Sequence, residues 1–157
     1  MNAKFTPSER LWCGLYFGIV AALSLSAIFA DILFLTPIFI GGLCSGLLIP
    51  AAIINPIRYS TLRAIGAGCL TTLCSALIAG LLFGIFYDAP FQLADLKIDS
   101  FVKLVKRLQQ AIRFMVLGAA FAVPFSLIGS IAAIAFSRGL TKHRKKIAPE
   151  IEPDVFE

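Results

Sequence analysis

Residues 64–84 read AIGAGCLTTLCSALIAGLLFG, a stretch with no charged side chain. Ala64, Gly68, Thr72, Ala76, Gly80 and Gly84 recur in it at every fourth position. Side chains four apart stack on one face of an α-helix, so this spacing predicts a helix with a groove of small residues along one side. In lipid no water drives helices together, and close backbone approach over small side chains is what lets them associate. The stretch therefore reads as one span of a packed transmembrane bundle.

Three further segments share these properties. Leu11 to Ala30, Ile32 to Ile54 and Phe114 to Phe136 lack Asp, Glu, Lys, Arg and His, and each is close to the roughly 20 residues that cross a bilayer. The first carries Gly14, Gly18, Ala22, Ser26 and Ala30; the second Gly42 and Gly46; the fourth Gly118, Ala122, Ser126 and Ser130. The chain has 157 residues, 59% of them hydrophobic and only 15% charged, with a mean hydropathy of +0.89. That is too apolar for a soluble domain and long enough for one membrane domain. The expected fold is an all-α, four-helix transmembrane bundle with a tight first hairpin and an interfacial amphipathic helix before the fourth span.

Local signals set the expected boundaries. Residues 1–10 form a polar leader and residues 11–30 the first span; the run is long for a signal-peptide core, and Ile28 fits poorly in a cleavage site ending at Ala30. Thr36 and Pro37 read as an N-cap and a first-turn proline, so the second helix is expected over 37–54, with 32–35 at the interface. Pro50 interrupts it before Asn55 and Pro56 stop it. The third is expected over 62–87, closed by Asp88 and Pro90. In the segment 91–111, Leu93, Phe101, Leu104, Val105 and Leu108, with Ile112 just beyond, share one helical face, opposite most of the charges. The helix they form is expected either to lie on the membrane surface or to pack over the bundle. The fourth span, 112–136, carries Pro124 and a kink is expected there. Residues 138–157, basic and then acidic and proline-containing, read as a disordered tail.

The formal net charge is +5. The basic residues flank spans instead of covering a folded face with stacking aromatics, which excludes a nucleic-acid surface. Lys4, Arg10, Arg58, Arg63 and the group from Arg138 to Lys146 fall on one side of a four-span arrangement, against Lys97, Lys103, Lys106, Arg107 and Arg113 on the other. The excess on the first side places both termini in the cytoplasm. The tail cluster of Lys142, Arg144, Lys145 and Lys146 is a candidate contact for lipid headgroups.

Catalytic chemistry is scarce. His143 is the single histidine and sits among basic residues; Cys13, Cys44, Cys69 and Cys74 lie in apolar segments without CxxC spacing, which speaks against a metal site or a disulfide framework. Asp31 and Asp88 are both at the outer boundary, and Ser24, Ser45, Ser75, Ser126 and Ser130 have no base to activate them. No catalytic residue, metal or cofactor is expected. The residues expected to matter are those of the packing lanes: Gly14, Gly18, Ala22, Gly42, Gly46, Gly68, Ala76, Gly80, Gly84, Gly118 and Ala122. The expected function is that of an integral membrane scaffold or accessory subunit, whose partners are the bilayer and a second copy or another membrane protein. The alternative is a small-solute transporter or an oligomeric, holin-like pore, with Asn55, Thr71, Thr72 and Ser75 as lining groups.

Overall fold

The structure, a computed structural model, describes residues 4–26, 32–86 and 101–147. Its elements are α1 (Pro7–Ser26), α2 (Ile32–Ile53), α3 (Thr61–Phe86) and α4 (Phe101–Ile147). Within them Phe34–Ile53, Thr61–Phe86 and Arg107–Lys146 are long and apolar enough to cross a membrane. The chain thus has the build of a membrane protein. α1 opens on Ser8, Glu9 and Arg10, and its apolar run continues past Ser26 into residues outside the described set.

Neighbours in sequence are neighbours in space, and all pairs are antiparallel. Gly14 and Gly18 of α1 face Leu47 and Phe39 of α2; Gly68, Gly80 and Gly84 of α3 face Gly129, Phe114 and Ala111 of α4. Between α2 and α3, Phe34 stacks on Phe83 at one end, and Ile54, just past α2, clusters with Ala67 of α3 at the other. α3 and α4 share the longest contact, and α1 meets α4 over a short one. The start of α1, the α2–α3 connection and the end of α4 lie together at one end of the helical bundle.

The distribution of side chains inverts that of a soluble protein. The largest fully buried side chains are Thr71, Pro50, Pro56, Cys13 and Ser137, whereas Leu62 is 82% exposed, Val123 72% and Leu48 69%. Such an extent of exposed aliphatic surface has no place in water, while in lipid small residues go to the seams and large ones to the acyl chains.

Several boundaries differ from the sequence reading. α1 starts at Pro7 because Thr6 and Glu9 form a capping box: the Glu9 N–H donates to Thr6 Oγ1 at 3.3 Å and the Thr6 N–H to the Glu9 carboxylate at 2.7 Å. Pro7 then occupies the first helical position, where its missing donor costs nothing. The leader is also anchored, since Phe5 is buried against Ile54, Ala67 and Leu140.

α2 begins at Ile32, so Pro37 lies inside the helix. Apolar residues 32–35 in lipid must satisfy their backbone internally, and continuing the helix does so at the loss of one bond near its start. Pro50 is likewise passed before Asn55 Oδ1 accepts the N–H groups of Ile57 and Arg58 and turns the chain.

α4 is a single 47-residue helix, about 70 Å long at 1.5 Å per residue and more than twice the hydrocarbon thickness. Residues 101–111 are continuous with the fourth span. Their face of Val105 and Leu108, with Ile112, is exposed, so it does not cover the bundle. At the other end, residues 138–147, expected to be disordered, are helical. Leu140 and Thr141 are buried, and Thr141 Oγ1 donates to the Ser137 carbonyl at 2.9 Å. These contacts supply what composition lacked, and Arg144, Lys145 and Lys146 suit the negative end of the helix dipole. Residues 27–31, 87–100 and 148–157 lie outside the described set, and with them the expected tight first hairpin and the expected stop at Asp88 and Pro90.

Candidate functional site: helix seams and an apolar cleft

The packing lanes occupy the seams. A Cβ built on Gly42 would sit 2.7 Å from the Phe17 carbonyl oxygen, on Gly46 2.8 Å from Phe17 Cβ, and on Gly14 2.7 Å from Leu47 Cγ. On Gly80 it would meet the Phe114 oxygen at 2.6 Å, and on Gly118 the Ala76 oxygen at 2.8 Å; on Gly68 and Gly84 it would collide with the Gly129 and Ala111 backbones. Gly18 faces the Phe39 ring at 3.0 Å. Ala122 is buried and Ala76 half-buried, while Ala22 is half-buried and it is Ala21, one residue earlier, that meets Gly42. Gly66 has open space around it and lies off the seam. Gly41 and Gly129, against Ser75 and Thr72, complete the set of close approaches.

Polar groups inside the bundle are hydroxyls turned mainly onto their own helices. Thr71 donates to the Ala67 carbonyl at 2.7 Å, Thr72 to Gly68 at 2.9 Å, Ser24 to Val20 at 2.6 Å and Ser45 to Gly41 at 2.7 Å. Contacts that cross between helices are fewer: Tyr16 donates to the Ala132 carbonyl at 3.2 Å, and Ser130 Oγ lies 3.3 Å from Cys69 Sγ and 3.5 Å from the Ile65 carbonyl oxygen. Tyr16 and Phe83 thus turn inward, Phe83 stacking between Phe34 and Phe114 at 5.3 and 6.3 Å. Asn55 sits in the α2–α3 turn and not on the bundle interior. Asp31 and Asp88 lie outside the described residues.

At the end that gathers the chain ends, α1 is clamped to α4. Arg144 donates to both Glu9 oxygens, at 2.8 and 2.5 Å, and to the Lys4 carbonyl at 2.9 Å. The two side chains are only 15% and 16% exposed. The Arg144 hydrogen bond holds the Glu9 carboxyl down at about 2 despite partial burial. Arg144, grouped by the sequence with the headgroup contacts, is thus paired with Glu9, while Lys142, Lys145 and Lys146 are exposed. Arg138 stacks over the Tyr59 ring at 5.3 Å.

α1 and α4 touch through Cys13, Tyr16 and Phe17 against Ala132, Ala133 and Phe136. Beyond this patch lies a cleft of about 350 Å³ between all four helices. Its walls are Phe17, Val20, Ala21, Ser24 and Leu25 of α1, Phe34, Ile38 and Gly42 of α2, Thr71 to Phe83 of α3, and Phe114 to Gly129 of α4. Among the described residues no charged one lines it, and its hydroxyls at Ser24, Thr71 and Thr72 are used locally, with Ser75 beside them. The sequence did not announce this cleft, because it depends on α1 and α4 meeting only near one end. Compared with protein-family models, curated proteins and solved structures, the chain matches none.

Proposed function

We propose that the protein is a four-span integral membrane protein with both termini in the cytoplasm, non-catalytic, acting through helix packing as a scaffold or accessory subunit. The observation carrying this reading is the interior of the bundle, where glycines and alanines bring backbones into contact and the hydroxyls named above bond mainly to their own helices. Such an interior offers shape and rigidity and, among the described residues, no converging acid, base and nucleophile. The outer faces, rich in Leu, Val and Phe, suit lipid, a second copy or another membrane protein. Lys142, Lys145 and Lys146 fit the anionic leaflet surface, at about 1 kcal/mol each.

Crosslinking in native membranes followed by purification in mild detergent tests this. The expected result is a defined band containing a second copy or one other membrane protein. A chain that remains alone while carrying solute across proteoliposomes would favour the transporter or pore instead. Thr71, Thr72 and Ser75 do line the cleft, as that alternative requires, but the apolar walls between them suit a water-filled path poorly.

A further inference from the structure

The cleft is not sealed, and what lies at its edge differs from what lies within. Leu117 and Phe121 of α4 line it and are also 54% and 62% exposed, so the cleft wall runs continuously into the outer surface of the bundle. Water is a poor occupant, because it needs two to four polar partners, and of the cleft's hydroxyls those of Ser24, Thr71 and Thr72 are spent on backbone carbonyls, which leaves Ser75 alone among apolar walls. In the membrane the adjoining fluid is acyl chain, and the cleft volume is that of an ordinary ligand site between bundle helices.

One turn along α4, a second recess is formed by Gln109, Gln110 and Arg113, and it shares Phe114 and Leu117 with the cleft. Ala111 packs on Gly84 and Phe114 on Gly80, which sets Arg113 within about one turn of the end of α3 at Phe86. Arg113 is exposed and has no ion pair among the described residues. An apolar slot thus abuts a cationic, amide-bearing mouth close to the end of α3.

We propose that this pair of recesses is a phospholipid site: one acyl chain lies in the cleft, and the phosphate is held at the mouth by Arg113 with Gln109 and Gln110. Guanidinium and amide donors match phosphate oxygens. The site rests on membrane embedding and is independent of the scaffold reading, since a lipid bound here need recruit no partner.

The full-length protein is reconstituted into phosphatidylcholine nanodiscs containing phosphatidylglycerol with a diazirine in one acyl chain, and labelled residues are mapped by mass spectrometry. The expected result is heavier labelling at Val20 and Ser24 than at Leu48 and Leu62, which face bulk lipid. Ser24→Phe fills the cleft without touching a glycine seam and abolishes the cleft labelling, while Ser24→Ala leaves it. Arg113→Gln, at an exposed helical position that leaves folding intact, lowers it about fivefold, the weight of one basic residue near a headgroup. A diacylglycerol probe, which lacks the phosphate, is insensitive to Arg113→Gln. Cleft labelling no heavier than at Leu48 and Leu62, or phosphatidylglycerol labelling unchanged by Arg113→Gln, overturns the proposal. Should Ser24→Phe fail to fold, the comparison of the two probes on Arg113→Gln decides alone.

Discussion

Glu9 joins two tasks in one carboxylate: it accepts the Thr6 N–H that closes the start of α1 and it holds Arg144 near the end of α4. Its carboxyl is depressed from 4.5 to about 2, chiefly by the Arg144 hydrogen bond. A depressed folded-state value means that the stabilisation is complete above 4.5 and is lost as pH falls from there through about 2. Glu9→Gln is expected to lower stability by about 1 kcal/mol near neutral pH, a partly solvated pair being worth little more, and to flatten the acid limb. Melting curves in detergent across that range check this; an acid limb identical in Glu9→Gln and the parent would mean that the clamp contributes nothing. The motif Thr6-Pro7-Ser8-Glu9 carries the capping-box spacing openly. The approach of Arg144, over one hundred residues away, was legible nowhere, and for the same reason the burial of Phe5 was hidden.

At the scale of the helix, α3 contains its own control. Gly66 and Gly68 are two residues apart on the same helix, yet one has open space about it and the other faces the Gly129 backbone. Gly68→Leu and Gly80→Leu are expected to disrupt the α3–α4 seam, and overpacking of this kind costs at least about 1–3 kcal/mol. Gly66→Leu is expected to be mild, and Gly66→Ala to stabilise by up to ~1 kcal/mol through helix propensity. Steric-trap or thermal unfolding in bicelles measures the difference, and equal effects at 66 and 68 would remove the seam from the account. α4 gives a second expectation: the amides of residues 138–146 resist hydrogen exchange, whereas a disordered tail would exchange within seconds. Seams were readable because small residues at a four-residue spacing have one main use in lipid. The extent of α4 was not, because the residues from Arg138 to Lys146 have the composition of a solvated tail and are held helical by Leu140 and Arg144 against partners distant in sequence. Proline misled at α2 for a related reason, since the rule that places Pro37 in a first turn has no term for the demand that lipid makes on the preceding backbone.

For the whole molecule, alternation of direction puts the start of α1, the 54–60 turn and the end of α4 at one end, where Arg58, Arg63, Arg138 and the lysines collect. The proposed orientation turns this end to the cytoplasm. The cleft belongs to this scale as well: no segment encodes it, and it arises from where two helices fail to meet. Everything depends on α1 crossing the bilayer with the other three, since three crossings would separate the chain ends. Sided labelling measures this directly. In a variant lacking the four native cysteines, Asn2→Cys, Ala94→Cys and Glu157→Cys are treated one at a time with a membrane-impermeant thiol reagent, in intact cells and after permeabilisation. Four spans predict that positions 2 and 157 react only after permeabilisation and position 94 before it; positions 2 and 157 reacting from opposite sides would contradict the account.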